Sequence, residues 1–140
     1  MFTAAKHHIH PPLASGQVGI LVVEDEPLLL MDTAQSLEDA GLIVFEAHNS
    51  QEALEVLAVR EDIHVMITDV RMPGGHLNGF QLAKMVAARW PEIGLLVVSG
   101  RVRPGPGDLP MNGRFLGKPY LPKALTSNVF AFVSRQSGSI

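Results

Sequence analysis

The sequence predicts a single α/β domain built on a doubly wound parallel sheet. Short, continuously apolar runs alternate along the chain with stretches whose apolar residues recur at helical spacing, which is the pattern of β-α-β units. The apolar runs show no polar alternation, as expected for strands that helices cover on both faces. The chain has 140 residues, of which 46% are hydrophobic and 18% charged, and this size and composition indicate one globular domain.

Five strands and four helices follow from these patterns. The strands are predicted at residues 20–23, 42–46, 63–68, 95–98 and 114–117. Helices follow the first, second, third and fifth strands. Pro27 suits the first turn of the first helix, and Gly41 suits the position just after its end. Asn49 or Ser50 is expected to cap the second helix.

Three segments are expected along the chain. Residues 1–17 are predicted to form a flexible N-terminal arm, because they carry prolines, Ser15 and Gly16 but no apolar periodicity. Residues 18–134 contain every predicted element and are expected to be the folded domain. Residues 135–140 are expected to be a polar C-terminal tail.

Charge and cysteine content exclude several classes of function. The formal net charge is -3, so no global cationic field attracts nucleic acid. The chain has no cysteine, which excludes disulfides, thiol nucleophiles and cysteine-ligated zinc. The apolar runs fall far short of the ~20 residues that span a bilayer, and no signal peptide is visible. We therefore expect a cytoplasmic protein with neither nucleic acid nor a membrane as its partner.

Polar residues that could take part in binding or catalysis follow four of the predicted strands. Glu24 and Asp25 end the first strand, Asp69 the third, Ser99 the fourth and Lys118 the fifth. In open parallel sheets, ligands bind in the crevice at the carboxyl ends of the strands, so these side chains are expected to meet there. Carboxylates brought together repel unless a cation neutralises them, and Mg²⁺ suits a few carboxylates plus water and phosphate oxygens.

Four stretches of sequence carry a resemblance to a known family. They read LVVEDEP at residues 21–27, TDVRMP at 68–73, VVSG at 97–100 and KPY at 118–120. In this order and spacing, across residues 18–134, the chain resembles the receiver domain of two-component response regulators. The resemblance implies a flavodoxin-like fold with five parallel strands in the order 2-1-3-4-5.

The resemblance also implies a role for each site residue. Asp69 would accept a phosphoryl group from a phosphohistidine of a sensor histidine kinase. Glu24, Asp25 and Asp69, with the backbone carbonyl of Arg71, would hold Mg²⁺ or Mn²⁺, and Lys118 would neutralise charge on the phosphoryl oxygens. As the switch pair, Ser99 would hydrogen-bond the phosphoryl group while Phe115 swings in behind it, although Phe115 as a plain core residue is an equal alternative. The Lys118–Pro119 bond is expected to be cis.

Two departures from the family pattern bear on function. In the family that the chain resembles, the positions of Arg71 and Arg101 border the attack path of water, so Arg71, Gly100 and Arg101 are expected to modulate phosphate loss. Residues 101–112 contain three prolines and two glycines. In a helix interior, each proline costs about 3 kcal/mol and each glycine about 1 kcal/mol of helix stability. The fourth helical region of the family is therefore predicted to be irregular or very short.

The leading functional hypothesis is a stand-alone, single-domain response regulator. It catalyses only its own phosphorylation and dephosphorylation at Asp69, and it switches the binding of an effector protein, relays phosphate to a histidine phosphotransfer protein or drains phosphate from a kinase. The alternative is a phospho-independent protein-interaction module on the same scaffold. An enzyme with external substrates is disfavoured, because the chain lacks a glycine-rich phosphate loop and has Arg71 where an aspartate-nucleophile phosphatase needs a second Asp.

Overall fold

A computed structural model describes residues 13–14, 16–73 and 77–137 of the chain. Within this part, the strands are β1 Gly19–Val23, β2 Ile43–Ala47, β3 Ile63–Asp69, β4 Gly94–Ser99 and β5 Gly113–Gly117. The helices are α1 Pro27–Asp39, α2 Ser50–Val59, α3 Gly79–Arg89 and α4 Pro122–Ser137.

The five strands form one parallel sheet in the order β2-β1-β3-β4-β5. Its register places Asp69 beside Val98 and Ser99 beside Gly117. The carboxyl ends of neighbouring strands therefore lie at one edge of the sheet. The predicted fold class and strand order are confirmed.

The sheet separates two apolar cores, because successive strand residues point to opposite faces. On one face, Leu21 and Val23 of β1 pack with the apolar sides of α2 and α3. On the other face, Ile20 and Val22 pack with α1 and α4. Helices thus cover both faces, as the continuously apolar strands predicted.

Local sequence signals set the starts of three helices. Glu26 caps α1 by accepting a hydrogen bond from the Leu28 N–H, a role that the sequence analysis did not assign. Asn49 caps α2 through the Glu52 N–H. Asn78 and Gln81 form a reciprocal capping box at the start of α3.

The segment between β4 and β5, residues 100–112, contains no helix, as predicted; we call it the strap. Its conformation is held by specific contacts. The Gly105 N–H donates to the Asp108 carboxylate at 2.7 Å, and Lys84 Nζ of α3 donates to the Gly107 carbonyl at 2.8 Å. Gly107 has φ +79°, a left-handed conformation that favours glycine. The strap is therefore an ordered loop in the position of a helix.

Both ends of the domain differ from the expected boundaries. Helix α4 continues to Ser137, past residue 134, because Gln136 Nε2 donates to the carbonyls of His64 and Glu92 at 3.0 and 2.9 Å. Through these bonds, a segment that was predicted to be a tail is attached to the sheet. Leu13, within the predicted flexible arm, packs against the core on the α2–α3 face. Residues 1–12 of that arm lie outside the described residues.

Candidate functional site

Three charged side chains meet at the carboxyl edge of the sheet. Lys118 Nζ, just after β5, lies 3.3 Å from Asp69 Oδ2 and 3.7 Å from Glu24 Oε1. Asp69 ends β3, and Glu24 follows β1 directly. The parallel topology therefore brings together residues that are separated by up to 94 positions in sequence, and the ammonium group neutralises part of the repulsion between the carboxylates.

The Asp69 carboxylate lies at a partly open position, since its side chain is 16% exposed. Its Oδ1 accepts the N–H of Val70 at 2.7 Å, while Oδ2 faces Lys118. The Asp69 carbonyl accepts the Thr68 hydroxyl. These bonds restrict the carboxylate to one orientation while leaving it accessible from solvent.

Burial raises the pKa of the Glu24 carboxyl to about 7. The Glu26 N–H, which donates to Glu24 Oε2 at 3.2 Å, lowers this pKa. The negative charge of Asp69 raises the pKa, and the positive charge of Lys118 lowers it. A cation bound next to this carboxyl would lower its pKa, because the cation stabilises the ionised form.

The donor set fits a hard divalent cation, although the side chains do not form a finished cage. Glu24, Asp25 and Asp69 supply only oxygen ligands, and the neighbouring Asp25 side chain raises the pKa of Glu24. Among the described residues, no three acidic or imidazole side chains converge as metal ligands. Mg²⁺ commonly binds through one or two carboxylates and keeps several waters, so the Glu24–Asp69 pair meets that requirement.

Ser99 lies beside this cluster at the end of β4 and is buried. Its Oγ accepts the backbone N–H groups of Arg101 and Val102 at 3.3 and 3.1 Å. Because both bonds use oxygen lone pairs, the hydroxyl proton stays available for donation to another group. Ser99 thus links the acidic cluster to the first turn of the strap.

Phe115 lies on β5 and packs, half-buried, against the core on the α2–α3 face. The guanidinium of Arg103, from the strap, stands 6.0 Å from the centre of its ring. The sequence analysis missed this contact, since it joins an irregular segment to a strand. The structure thus places Phe115 beside the strap, with Arg103 next to it.

The remaining predicted residues surround the cluster. Arg71 and Arg101 are exposed, and Gly100 packs near Lys118. The Lys118–Pro119 peptide bond is cis. A cavity of about 570 Å³ opens beside Glu24 and Lys118, with Leu29 of α1 and Tyr120 on its walls. Burial raises the pKa of the Tyr120 hydroxyl, and a hydrogen bond to Thr33 lowers it.

Comparison with known proteins places this site in a family. The sequence matches the response regulator receiver domain over residues 20–105. The chain is 31% identical over 124 residues to the transcriptional regulatory protein FixJ of Azorhizobium caulinodans, covering 83% of this chain and 55% of FixJ. It is 37% identical over 84 residues to the uncharacterized transcriptional regulatory protein YesN of Bacillus subtilis, covering 58% of this chain and 22% of YesN.

A solved structure agrees with these sequence relatives. The response regulator receiver protein from Sinorhizobium medicae superposes with a TM-score of 0.76 at 25% identity, covering 88% of this chain and 99% of the other. The chain spans less than two thirds of the length of FixJ and YesN, so the likeness to them concerns their receiver portion. The shared sequence, fold and strand-end cluster show that this chain belongs to the response regulator receiver domain family.

Proposed function

We propose that Asp69 accepts a phosphoryl group from a phosphohistidine of a sensor histidine kinase. The observation that carries this proposal is the position of the Lys118 ammonium, within 3.3 Å of Asp69 and 3.7 Å of Glu24. A carboxylate nucleophile next to a fixed cation and a second carboxylate meets the needs of phosphoryl transfer, which depends mainly on positioning and on charge neutralisation.

In the transfer step, a carboxylate oxygen of Asp69 forms a bond to phosphorus while the bond from phosphorus to the imidazole nitrogen breaks. The electron pair of the broken bond stays on the imidazole nitrogen. Lys118 neutralises charge on the phosphoryl oxygens, and the free hydroxyl proton of Ser99 donates to the phosphoryl group on Asp69. Glu24, Asp25 and Asp69, with the Arg71 carbonyl, would hold Mg²⁺, which would supply further neutralising charge.

The kinase surface of this proposal lies on α1. Leu28, Leu29 and Met31 are large apolar residues that are 73%, 45% and 64% exposed, and α1 begins three residues after Glu24. Contiguous exposed apolar residues mark interaction sites. A kinase that docks there would bring its phosphohistidine to the same edge of the sheet as Asp69. We propose that this step takes place in the cytoplasm.

Intact mass after incubation with acetyl phosphate tests the proposal. We expect the wild-type protein to gain one phosphoryl group with Mg²⁺ and none when EDTA removes it. Asp69→Asn should gain nothing, whereas Asp39→Asn, at the exposed end of α1, should behave as wild type. Absence of a gain from acetyl phosphate and from a panel of phosphorylated kinases would reject the proposal.

The role of the neighbouring residues is a second part of the proposal. Arg71 follows Asp69 by two residues, and Gly100 and Arg101 line the cavity beside Lys118. We propose that these residues modulate phosphate loss and that at least one of the two arginines contacts the phosphoryl group. Equal dephosphorylation half-lives in Arg71→Ala, Arg101→Ala and wild type would exclude this contact. Onward transfer to a histidine phosphotransfer protein, or binding of an effector, would deliver the signal. We also propose that the receiver works without an attached domain. The mass of the native protein isolated from cells would test this point.

The absence of a helix from the strap favours one alternative, a phospho-independent interaction module. The strap replaces a regular element with a loop that has its own bonds to α3. Beryllofluoride with Mg²⁺ mimics an aspartyl phosphate and distinguishes the two functions. A phosphorylated switch should show amide shifts at Asp69, Ser99 and Phe115, whereas a phospho-independent module should show none.

A further inference from the structure

Arg103 of the strap packs against β5 at a position that carries no side chain. A Cβ at Gly117 would stand 3.4 Å from Arg103 Nη1 and 3.6 Å from Nη2, so any side chain larger than a methyl group would displace the guanidinium. Gly117 does not have a left-handed φ, so space rather than backbone conformation accounts for the glycine. The Phe115 ring, two residues earlier on the same face of the strand, has its centre 6.0 Å from Arg103 Cζ. A bare backbone and an aromatic ring thus form the packing site of the guanidinium.

The packing site of Arg103 lies next to Ser99. In the register of β4 and β5, Gly117 is the partner of Ser99, and partners in a parallel pair point to the same face of the sheet. The chain therefore leaves β4 at Ser99, turns through residues 100–102 and returns with Arg103 to the neighbouring position on β5. Among the described residues, no carboxylate forms an ion pair with Arg103. Its contacts with β5 therefore determine where the guanidinium lies.

This turn is closed at both ends. At its start, Ser99 Oγ accepts the N–H groups of Arg101 and Val102 at 3.3 and 3.1 Å. At its end, Arg103 rests on β5, one residue after Val102. The two N–H groups occupy both lone pairs of the Ser99 hydroxyl, so its O–H bond points away from these two donors. A shift of residues 101–102 would release the hydroxyl, and its proton could then turn to other acceptors.

We propose that Arg103 is a positioning residue for phosphoryl transfer, because it holds residues 101–102 where they orient the Ser99 hydroxyl. The inference rests on the proposed function, in which that hydroxyl donates to the phosphoryl group on Asp69. Arg103 acts through Ser99 and does not contact the phosphoryl group itself. Val102 also packs against the core on the α2–α3 face, so the turn keeps part of its order without Arg103, and the expected effects are correspondingly small.

Hydrogen exchange tests the first step without any phosphorylation. Arg103→Ala should speed exchange of the amides of residues 101–102 about threefold, the loss expected for an exposed cation–π contact, while β4 amides keep their wild-type rates. Arg103→Lys keeps the charge but has no planar group to lay on β5, so it should behave like Arg103→Ala. Arg114→Ala is the matched control and should leave both amides unchanged, because Arg114 lies on the same strand but contacts the Phe132 ring instead of the strap.

A double-mutant cycle tests the second step. The rate at which acetyl phosphate with Mg²⁺ adds a phosphoryl group to Asp69, followed by intact mass, should fall about threefold in Arg103→Ala and about fivefold in Ser99→Ala. The double variant should be no slower than Ser99→Ala, because no hydroxyl then remains to be positioned. Independent effects would multiply to about fifteenfold. A merely structural contribution of Arg103 would slow the reaction in both backgrounds.

Each remaining outcome counts against the inference. Wild-type exchange and phosphorylation rates in Arg103→Lys would show that charge alone matters, and a multiplicative loss in the double variant would show that Arg103 acts independently of Ser99. Unchanged exchange at residues 101–102 in Arg103→Ala, in a protein that acetyl phosphate does phosphorylate, would reject the inference alone. A wild-type protein that no donor phosphorylates would reject the proposed function and, with it, the role assigned to Arg103, even if the exchange rates change as expected.

Discussion

At the scale of single residues, Lys118 is shared between two carboxylates that would otherwise repel each other. Its Nζ contacts both Asp69 and Glu24, and the Glu24 side chain is only 8% exposed. Water therefore screens this cluster weakly. Under the proposed function, the position of the ammonium group would determine how much negative charge an incoming phosphoryl group meets.

Replacing Lys118 with methionine should slow phosphorylation of Asp69 by acetyl phosphate at least about tenfold, equivalent to about 1.4 kcal/mol in the barrier. Methionine keeps the length of the side chain but removes the charge. Time courses of intact mass would measure the rate. Lys123→Met, which removes an exposed lysine five positions later, is the matched control. A Lys118→Met rate equal to wild type would contradict the role given to the ammonium group.

Gly79 has a steric role beside the backbone of Asp69. A Cβ at this position would collide with the backbone carbonyl of Asp69 and crowd Val70, and backbone atoms cannot move aside cheaply. Gly79→Ala should therefore lower the free energy of unfolding by about 1–3 kcal/mol and shift the Asp69 amide resonance. Urea unfolding measures the first effect. Gly100→Ala, whose Cβ meets only the Lys118 Cβ at 3.5 Å, should change stability much less; similar losses in both variants would refute the steric argument.

Which residues meet at this edge could be predicted from sequence, because strand ends in a parallel sheet converge and each of these residues follows an apolar run. The contact of Arg103 with Phe115 could not, since no periodicity describes the strap. Within the described ranges no three metal-ligand side chains converge. A residue pattern could not predict this, because side-chain orientation at a loop depends on packing.

At the scale of elements, the strap depends on the Ser99 hydroxyl for its first turn. Ser99 Oγ accepts the N–H groups of Arg101 and Val102, and each such bond contributes about 1 kcal/mol. Ser99→Ala should speed hydrogen exchange of these two amides about fivefold, while Ser99→Thr should keep them near wild type. Exchange measured by nuclear magnetic resonance would test this, with β4 amides as the internal reference. Unchanged exchange at residues 101 and 102 in the alanine variant would show that Ser99 does not hold the strap.

The strap and α4 show which element properties a sequence can reveal. The penalties of proline and glycine in a helix are local, so the missing helix could be predicted. The end of α4 could not, because the bonds that extend it join Gln136 to residues 72 and 44 positions earlier. The polar composition of this segment predicts a tail, whereas the structure shows a helix whose end is held by hydrogen bonds to distant residues.

At the scale of the whole molecule, the sheet joins the strand-end cluster to both cores. Val23 and Val98, which adjoin Glu24 and Ser99, belong to opposite cores. Residues at the carboxyl edge are therefore adjacent in sequence to both cores. In the described part of the chain, no helix is both long and apolar enough to cross a membrane.

Ligands that bind only the folded site should stabilise the entire domain, since the site needs residues from β1, β3 and β5 together. With Mg²⁺ and beryllofluoride at about 100 times the dissociation constant, the expected gain is about 2.7 kcal/mol. For a domain of this size that gain raises the melting temperature by roughly 10 °C. Differential scanning calorimetry would measure the shift, and EDTA should abolish it.

The same experiment separates the acceptor from the metal ligands. Asp69→Asn should lose the beryllofluoride shift, because no carboxylate remains to bind the fluoride complex. Glu24→Gln should weaken the shift by reducing metal affinity, while the control Glu38→Gln, at the exposed end of α1, should retain it. A full shift in Asp69→Asn would mean that the ligand binds elsewhere, and the strand-end cluster would then not be the phosphoryl site.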